Sequence, residues 1–214
     1  MRIFSEIRGR EEPKPFGRLL VDSSLIFLLG VALGAFSKFL DCTPSNELPA
    51  FLEYLDVRNF LGRFSIWVLL GVWISVRSNS AVRASVNVFL FFCGMVASYY
   101  LYSNYVAGFF PKNYAMIWIG FTVLSPLPGF VCWFAGGKEI SAFILSVILL
   151  AVLYWCTFVC GWFYILPRSA LELLTFLCGV MVLRRDTVKS SIIMTVLAIA
   201  LGFLLLLLVP FHFG

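Results

Sequence analysis

The sequence is poor in charged residues: 13 % of its 214 residues are Asp, Glu, Lys or Arg, whereas 61 % are hydrophobic. A soluble globular domain carries about one quarter charged residues. A chain of this length has too few charged residues to cover the water-exposed surface of a soluble fold. The composition therefore excludes an ordinary cytosolic domain, a disordered chain and a small disulfide-rich secreted domain, and it predicts an all-α, polytopic membrane protein.

The sequence also lacks the residues that intramembrane enzymes need. Its one histidine is His212, so a zinc site of two histidines and a glutamate is excluded. No G-x-S-x-G, P-loop or G-x-G-x-x-G motif occurs, and no two carboxylates share one depth within the apolar runs. We therefore predict a protein that is not an enzyme and that binds no metal and no cofactor.

Apolar stretches long enough to cross a membrane dominate the chain. A span needs about 20 apolar residues, within a range of about 17–25. The sixth stretch is short and begins with Arg168 and Glu172, so six spans are the alternative to seven. The seven predicted spans are Leu19–Leu40, Phe60–Val76, Ala84–Ser103, Tyr114–Ala135, Ile140–Val159, Pro167–Leu183 and Ile192–Phe213.

The basic residues predict the orientation, because cytoplasmic loops collect Lys and Arg. With seven spans and the N-terminus inside, most basic residues lie on the inner side. If the sixth stretch did not cross, Arg184, Arg185 and Lys189 would lie outside. We therefore expect a multi-pass protein of a bacterial plasma (inner) membrane with its C-terminus outside. Residues 1–18 would form a cytoplasmic segment and residues 19–213 a single membrane domain.

The external segment 41–59 is predicted to lie on the membrane surface. Pro49 is a favoured residue at the start of a helix, and Phe51, Leu52 and Leu55 would then share one face. Such a helix is amphipathic and too short to cross the membrane. We interpret the segment either as a connector resting on lipid or as a lid over an external cavity.

Ionisable residues lie near the ends of the predicted spans, where local pairing or snorkelling accounts for each one. Together with tyrosines at the outer surface, which are also typical of an aromatic belt, they suggest a polar mouth for a headgroup or a polar solute. The candidate ligand-binding residues are Lys38, Asp41, Arg63, Tyr99, Tyr100, Lys112, Arg168 and Glu172.

The fourth span is interrupted near its middle by Ser125, Pro126, Leu127, Pro128 and Gly129. Each proline removes a backbone donor, and in a membrane the freed carbonyl groups need other partners. Broken helices also line the binding sites of many transporters. We interpret the break either as a packed kink or as a site for a weakly polar or lipid-like ligand, since no ionisable residue shares its depth.

Two further patterns concern contacts rather than chemistry. Gly30 and Gly34 form a small-residue face that lets helices approach closely. This face would pack within the bundle or dock a membrane protein partner. Cys42 and Cys160 are both predicted outside, so a disulfide between them is conceivable.

Several stretches resemble a family of small, uncharacterised bacterial multi-span membrane proteins. They are Tyr99-Tyr100-Leu101-Tyr102, Gly108–Lys112 and Met116–Trp118, with Gly34–Lys38 earlier in the chain. The resemblance implies a multi-span membrane protein and assigns no functional residue.

Three hypotheses about function follow from these patterns. The first is a transport or ligand-binding membrane subunit that uses the polar mouth and the broken helix. The second is an interaction or sensor partner that acts through helix–helix contacts, and the third is an intramembrane enzyme. The expected partners are the lipid bilayer, a small or lipid-like ligand and a membrane protein, and no nucleic acid.

Overall fold

The computed structural model describes residue 8, residues 15–160 and residues 164–209. His212 and the last residues of the seventh predicted span lie outside these residues. The described chain is predominantly helical, as predicted, with a single two-stranded sheet. The helices are α1 Phe16–Cys42, α2 Ala50–Tyr54, α3 Val57–Gly62, α4 Ser65–Arg77, α5 Ala81–Tyr105, α6 Lys112–Leu124, α7 Pro126–Trp133, α8 Ile140–Thr157, α9 Ala170–Val182 and α10 Val188–Leu208, with 3-10 helices at Ser45–Glu47 and Phe134–Gly136.

Four of the described helices are long and apolar enough to cross a membrane: α1, α5, α8 and α10. The pair α6–α7, bent by 41°, meets the same criterion as one broken span. α4 and α9 have 13 residues each. At 1.5 Å per residue they reach about 20 Å, less than the ~30 Å hydrocarbon core. By length and composition the structure thus supports four or five spans, not the seven predicted.

Contacts between the long helices α1 and α5 define two ends of the bundle. At one end, here called the Phe16 end, Arg83 at the start of α5 donates to the carbonyl oxygen of Leu19 in α1. At the other, the Cys42 end, Tyr99 of α5 donates to Asp41 of α1. α1 and α5 are therefore parallel, and α4 returns between them.

α1 and α5 pack with their backbones in close contact. Gly30 and Gly34 are buried, and a Cβ atom on either would collide with the carbonyl oxygen of Phe91 or Met95 in α5. Gly94 of α5 approaches the backbone of α1 in the same way. The small-residue face that the sequence predicts is therefore covered by α5 within the same chain.

The break between α6 and α7 is stabilised by neighbouring groups. Pro126 has no N–H, so the carbonyl oxygen of Thr122 loses its helical donor. Ser125 replaces it, donating from Oγ at 2.8 Å and from its N–H at 3.2 Å. The carbonyl oxygen of Pro126 accepts from Ser85 Oγ of α5 at 2.9 Å, and Gly129 lets α7 lie directly on α5.

The segment before α4 forms short helices instead of the single amphipathic helix that the sequence predicts. Pro49 precedes α2 as expected, but α2 ends at Tyr54. Asp56, with φ of 54°, then separates α2 from α3, in a left-handed conformation that Asp tolerates better than most residues. The predicted apolar face is split, because Leu52 packs against the core while Phe51 is 62 % exposed.

An antiparallel ribbon that the sequence analysis did not predict follows α8. Strands β1 (Phe158–Cys160) and β2 (Ile165–Pro167) pair with Phe158 opposite Pro167. The ribbon returns the chain to the start of α9, where the side chain of Ser169 accepts a hydrogen bond from the backbone and caps the helix. All six cysteines are among the described residues, and no disulfide joins any of them, so the conceivable Cys42–Cys160 bond is not formed.

Candidate functional site

An ion pair covered by aromatic rings lies at the Cys42 end. Lys38 Nζ is 3.8 Å from Asp41 Oδ2, one helical turn further along α1, and Lys38 is only 5 % exposed. Tyr99 of α5 donates its hydroxyl to the same carboxylate oxygen. Lys38 Nζ also lies 4.9 Å from the ring centroid of Tyr99 and 4.6 Å from that of Phe109. The two charges thus compensate one another, and the ammonium group of Lys38 also has cation–π contacts.

A small cavity of about 50 Å³ lies beside this ion pair. It is here called the tyrosine pocket. Tyr100 is 7 % exposed, and its Oη forms no hydrogen bond within the described part of the chain. Buried polar groups are nearly always hydrogen-bonded, so this hydroxyl is a group that a ligand can satisfy. The pocket is lined by Ser37, Asp41, Leu61, Gly62, Trp67, Met95, Val96, Tyr99, Tyr100, Tyr114 and Trp118.

A second buried cluster joins the first turn of α9 to the start of α4. Glu172 is fully buried, and its N–H donates to Oγ of Ser169 at 3.3 Å. Its Oε2 accepts from the hydroxyl of Ser65, and its Oε1 lies 3.7 Å from a guanidinium nitrogen of Arg63. Arg63 also lies 3.6 Å from Asp56. The carboxylate is therefore held between two helices without contact with solvent.

The predicted ligand-binding residues divide between these two clusters instead of surrounding a single opening. Four of them lie at the tyrosine pocket or beside it: Lys38, Asp41, Tyr99 and Tyr100. Three belong to the second cluster, where Arg168 is close enough to Glu172 for electrostatic interaction: Arg63, Arg168 and Glu172. Lys112 is exposed at the start of α6.

A larger cavity of about 290 Å³ lies toward the middle of the helices, between α4, α5, α8 and the bent pair α6–α7. It is here called the apolar cleft. The hydroxyl groups on its wall are used within their own helices: Ser75 donates to Gly71 O at 2.7 Å, Thr122 to Trp118 O at 2.9 Å, and Ser125 to Thr122 O at 2.8 Å. The apolar residues on its wall include Phe64, Val68, Val72, Val88, Phe92, Phe121, Leu124, Pro128, Leu149 and Val152.

Two tryptophans line both cavities. Trp67 is 2 % exposed, and its Nε1 donates to the carbonyl oxygen of Leu61 at 2.9 Å. Trp118 packs on Phe64 and Phe121, with ring centroids 5.9 and 6.2 Å apart. The tyrosine pocket and the apolar cleft are therefore neighbours, with the polar cavity at the Cys42 end and the hydrocarbon-lined cavity nearer the helix break.

A buried network of hydrogen bonds at the Phe16 end joins several helices. Asn87 of α5 accepts from Ser23 of α1 at 2.8 Å and donates to Ser78 after α4 at 3.1 Å. Arg83 donates to Ser23 Oγ at 2.6 Å, and Trp133 donates to the carbonyl oxygen of Ser78 at 2.7 Å. These bonds tie α1, α4, α5 and α7 together.

Sequence reasoning missed several of these residues. Asn87 carries a signal that could have found it, since an amide inside an apolar span needs a partner. Ser65 and the two tryptophans carry no such signal, because small hydroxyls and aromatic rings are common at helix ends in membranes. The predicted helix break lies on the α6–α7 wall of the cleft, but the remaining walls come from α4, α5 and α8, which are distant in sequence.

The chain matches no protein-family model, no curated protein and no solved structure. The resemblance to small bacterial multi-span proteins therefore stays a prediction. Among the residues that the structure describes, no group of three or more His, Cys, Asp or Glu is placed to hold a metal ion.

Proposed function

We propose that the protein is a non-catalytic membrane protein that binds the hydrocarbon chain of a lipid-like ligand in the apolar cleft. The observation that supports this most directly is the wall of the cleft, where every serine and threonine hydroxyl is already bonded within its own helix. A cavity of about 290 Å³ is at the small end of the ~300–1,000 Å³ of ligand pockets. A wall whose described serine and threonine hydroxyls are all engaged suits an alkyl chain better than a polar solute.

Physical chemistry restricts what such a cleft can recognise. Lipid tails are as apolar as leucine side chains, so moving a chain from the bilayer into the cleft adds no hydrophobic gain. Selection must then come from the fit of the chain against rigid rings such as Phe92 and Phe121 and against the bend at Pro128. The polar end of the ligand must supply the rest of the binding free energy.

The proposal includes an orientation. In the described chain, the basic residues at the Phe16 end include Arg77, Arg83, Lys138, Arg184 and Arg185. The excess of basic residues over the Cys42 end favours the Phe16 end as cytoplasmic, with α4 and α9 as short crossing segments and the C-terminus outside. The cleft would then open within a bacterial plasma membrane, and the tyrosine pocket would lie near its outer surface.

The bent pair α6–α7 favours transport as one use of this binding site. Helices that are broken beside a ligand site are a feature of many transporters. The alternative, a partner protein docking on Gly30 and Gly34, is less well supported because α5 covers both glycines. We therefore prefer ligand binding, with or without transport, to a role as an interaction partner.

A photo-crosslinking experiment tests the proposed site. The protein in lipid nanodiscs is irradiated with a twelve-carbon alcohol that carries a diazirine in its chain, and the labelled peptides are mapped by mass spectrometry. We expect labelling of Val72, Phe92 and Leu149, which face the cleft from three different helices.

Two matched glycine substitutions separate the cleft from the lipid-facing surface. A Cβ at Gly71 meets only the ring of Phe92, at 3.7 Å, so the Leu of Gly71→Leu extends into the cleft. Gly120 has open space around it and lies outside the cleft, so Gly120→Leu adds the same bulk elsewhere. We expect Gly71→Leu to reduce labelling about tenfold, equivalent to ~1.4 kcal/mol, and Gly120→Leu to leave it unchanged. Equal labelling of both variants and of the wild type would contradict the proposal.

A further inference from the structure

The tyrosine pocket adjoins the apolar cleft at the position where the polar end of a bound amphiphile would lie. Trp67 and Trp118 line both cavities, so the pocket lies directly beside the cleft. A ligand that fills both cavities must pass these two rings. The following inference rests on the proposed function and concerns the chemistry of the head.

We propose that the tyrosine pocket binds an uncharged, hydroxyl-bearing head of the lipid-like ligand, of the size of a glycerol or a simple alcohol. Tyr100 carries this inference. It lines the pocket, it is more than nine-tenths buried, and its Oη has no hydrogen-bond partner in the described chain. A phenol hydroxyl both donates and accepts, so a hydroxyl of the ligand can pair with it in either direction.

The charges around the pocket argue against a charged head. Asp41 is the one acidic residue on the wall, and it already faces Lys38 at 3.8 Å and accepts from Tyr99. Lys38 in turn is held over the rings of Tyr99 and Phe109. A phosphate would approach Asp41 and an ammonium group would compete with Lys38, and neither would find an uncompensated opposite charge. Burying a charge without a partner is far more costly than burying a hydroxyl that is hydrogen-bonded.

The size and the walls of the pocket agree with a small neutral head. A cavity needs about 10–15 Å³ per water molecule, so about 50 Å³ has room for about four water-sized groups, which suits a glycerol or a simple alcohol. Tyr99, Tyr100, Tyr114 and Trp118 present aromatic rings, which can contact the C–H groups of a polyol. A sugar ring or a phosphodiester with a further substituent is larger than this space.

Competition among amphiphiles that have the same alkyl chain but different heads tests the inference. Dodecylglycerol, dodecyl phosphate and dodecyltrimethylammonium compete with the diazirine alcohol for labelling of the wild-type protein in nanodiscs. We expect dodecylglycerol to compete at a concentration about tenfold lower than either charged amphiphile, because burying a charge without a partner costs more than burying a hydrogen-bonded hydroxyl. Equal or better competition by a charged amphiphile would overturn the inference.

Two tyrosine variants assign the preference to the pocket. Tyr100→Phe removes a hydroxyl that forms no hydrogen bond in the described chain, so the fold should tolerate it. Tyr105→Phe removes a hydroxyl from the same helix at a position that is 79 % exposed. We expect Tyr100→Phe to reduce the advantage of dodecylglycerol and Tyr105→Phe to keep it in full. If Tyr100→Phe keeps the full advantage, the pocket does not bind the head.

The two proposals fail in different ways in this experiment. Labelling that never maps to the cleft residues contradicts the proposed site for the hydrocarbon chain, whichever amphiphile competes best. Labelling that maps to the cleft, with no dependence on the head or on Tyr100, contradicts only the inference about the tyrosine pocket.

Discussion

Breaking the ion pair between Arg63 and Glu172 should strongly destabilise the protein. Glu172 is fully buried, whereas the side chain of Arg63 is 21 % exposed, and the two charged groups are 3.7 Å apart. Arg63→Ala leaves the carboxylate without this neighbour, although Ser65 still donates to it and Arg168 stays close enough for electrostatic interaction. The perturbation therefore tests whether this cluster holds α9 against the start of α4.

The magnitude follows from the distance and the burial. At 3.7 Å, two unit charges interact by about 4 kcal/mol at an effective dielectric constant of about 20. Removing one partner of a buried pair costs about 3–5 kcal/mol, because the remaining charge stays buried. Partial exposure of Arg63 favours the lower limit, so we expect Arg63→Ala to lower the free energy of unfolding by about 3 kcal/mol.

Unfolding in mixed detergent micelles, followed by far-UV circular dichroism, measures this loss. Lys138→Ala is the matched control, because Lys138 and Asp186 are separated by a similar 3.6 Å but are 83 % and 73 % exposed. Exposed pairs contribute little, so the control should unfold like the wild type.

A double-mutant cycle gives the refuting result. Glu172→Gln removes the charge and keeps an acceptor for Ser65. If the pair interacts as described, the double variant Arg63→Ala/Glu172→Gln loses about 2 kcal/mol less than the sum of the single losses. Single losses that add within about 0.5 kcal/mol would refute the reasoning.

Further variants test the packing of α5. Gly34→Leu should prevent close packing of α1 on α5 and reduce the yield of folded protein, whereas Gly120→Leu should not. Gel filtration of the detergent-extracted variants measures this yield, and normal profiles for both variants would contradict the packing. Ser85→Ala removes the donor to Pro126 O and should lower the free energy of unfolding by about 1 kcal/mol. No change in stability would mean that this hydrogen bond does not support the bend.

The sequence predicts the helical membrane class well, because charge scarcity and long apolar runs are properties of whole segments. α1, α5, α8 and α10 lie where the apolar runs predict them. Span number is harder to predict. The second predicted span begins at Phe60, but the helix is interrupted before Ser65, and only 13 residues follow in α4. An apolar run does not reveal where the backbone leaves the helical conformation.

The candidate site shows a similar division. Lys38, Asp41 and Tyr99 were predictable as a group because each lies at the same end of a predicted span. The partner of Glu172 was not predictable. Arg168 lies one helical turn away in sequence, but the described ion pair of Glu172 is with Arg63. Local spacing favours neighbours in the helix, whereas tertiary packing brings together residues more than a hundred positions apart. The hydroxyl of Tyr100, which has no hydrogen-bond partner among the described residues, likewise depends on what surrounds it and not on its place in the sequence.

A structure in lipid tests most directly whether the apolar cleft holds a hydrocarbon chain. Cryo-electron microscopy of the protein in nanodiscs, with a rigid antibody fragment to add mass, would show the cleft between Gly71 and Phe121. We expect elongated density in the wild-type cleft that ends near Trp67 and is absent in Gly71→Leu. A wild-type cleft closed by direct contact of Phe92 with Phe121, and without such density, would contradict this expectation.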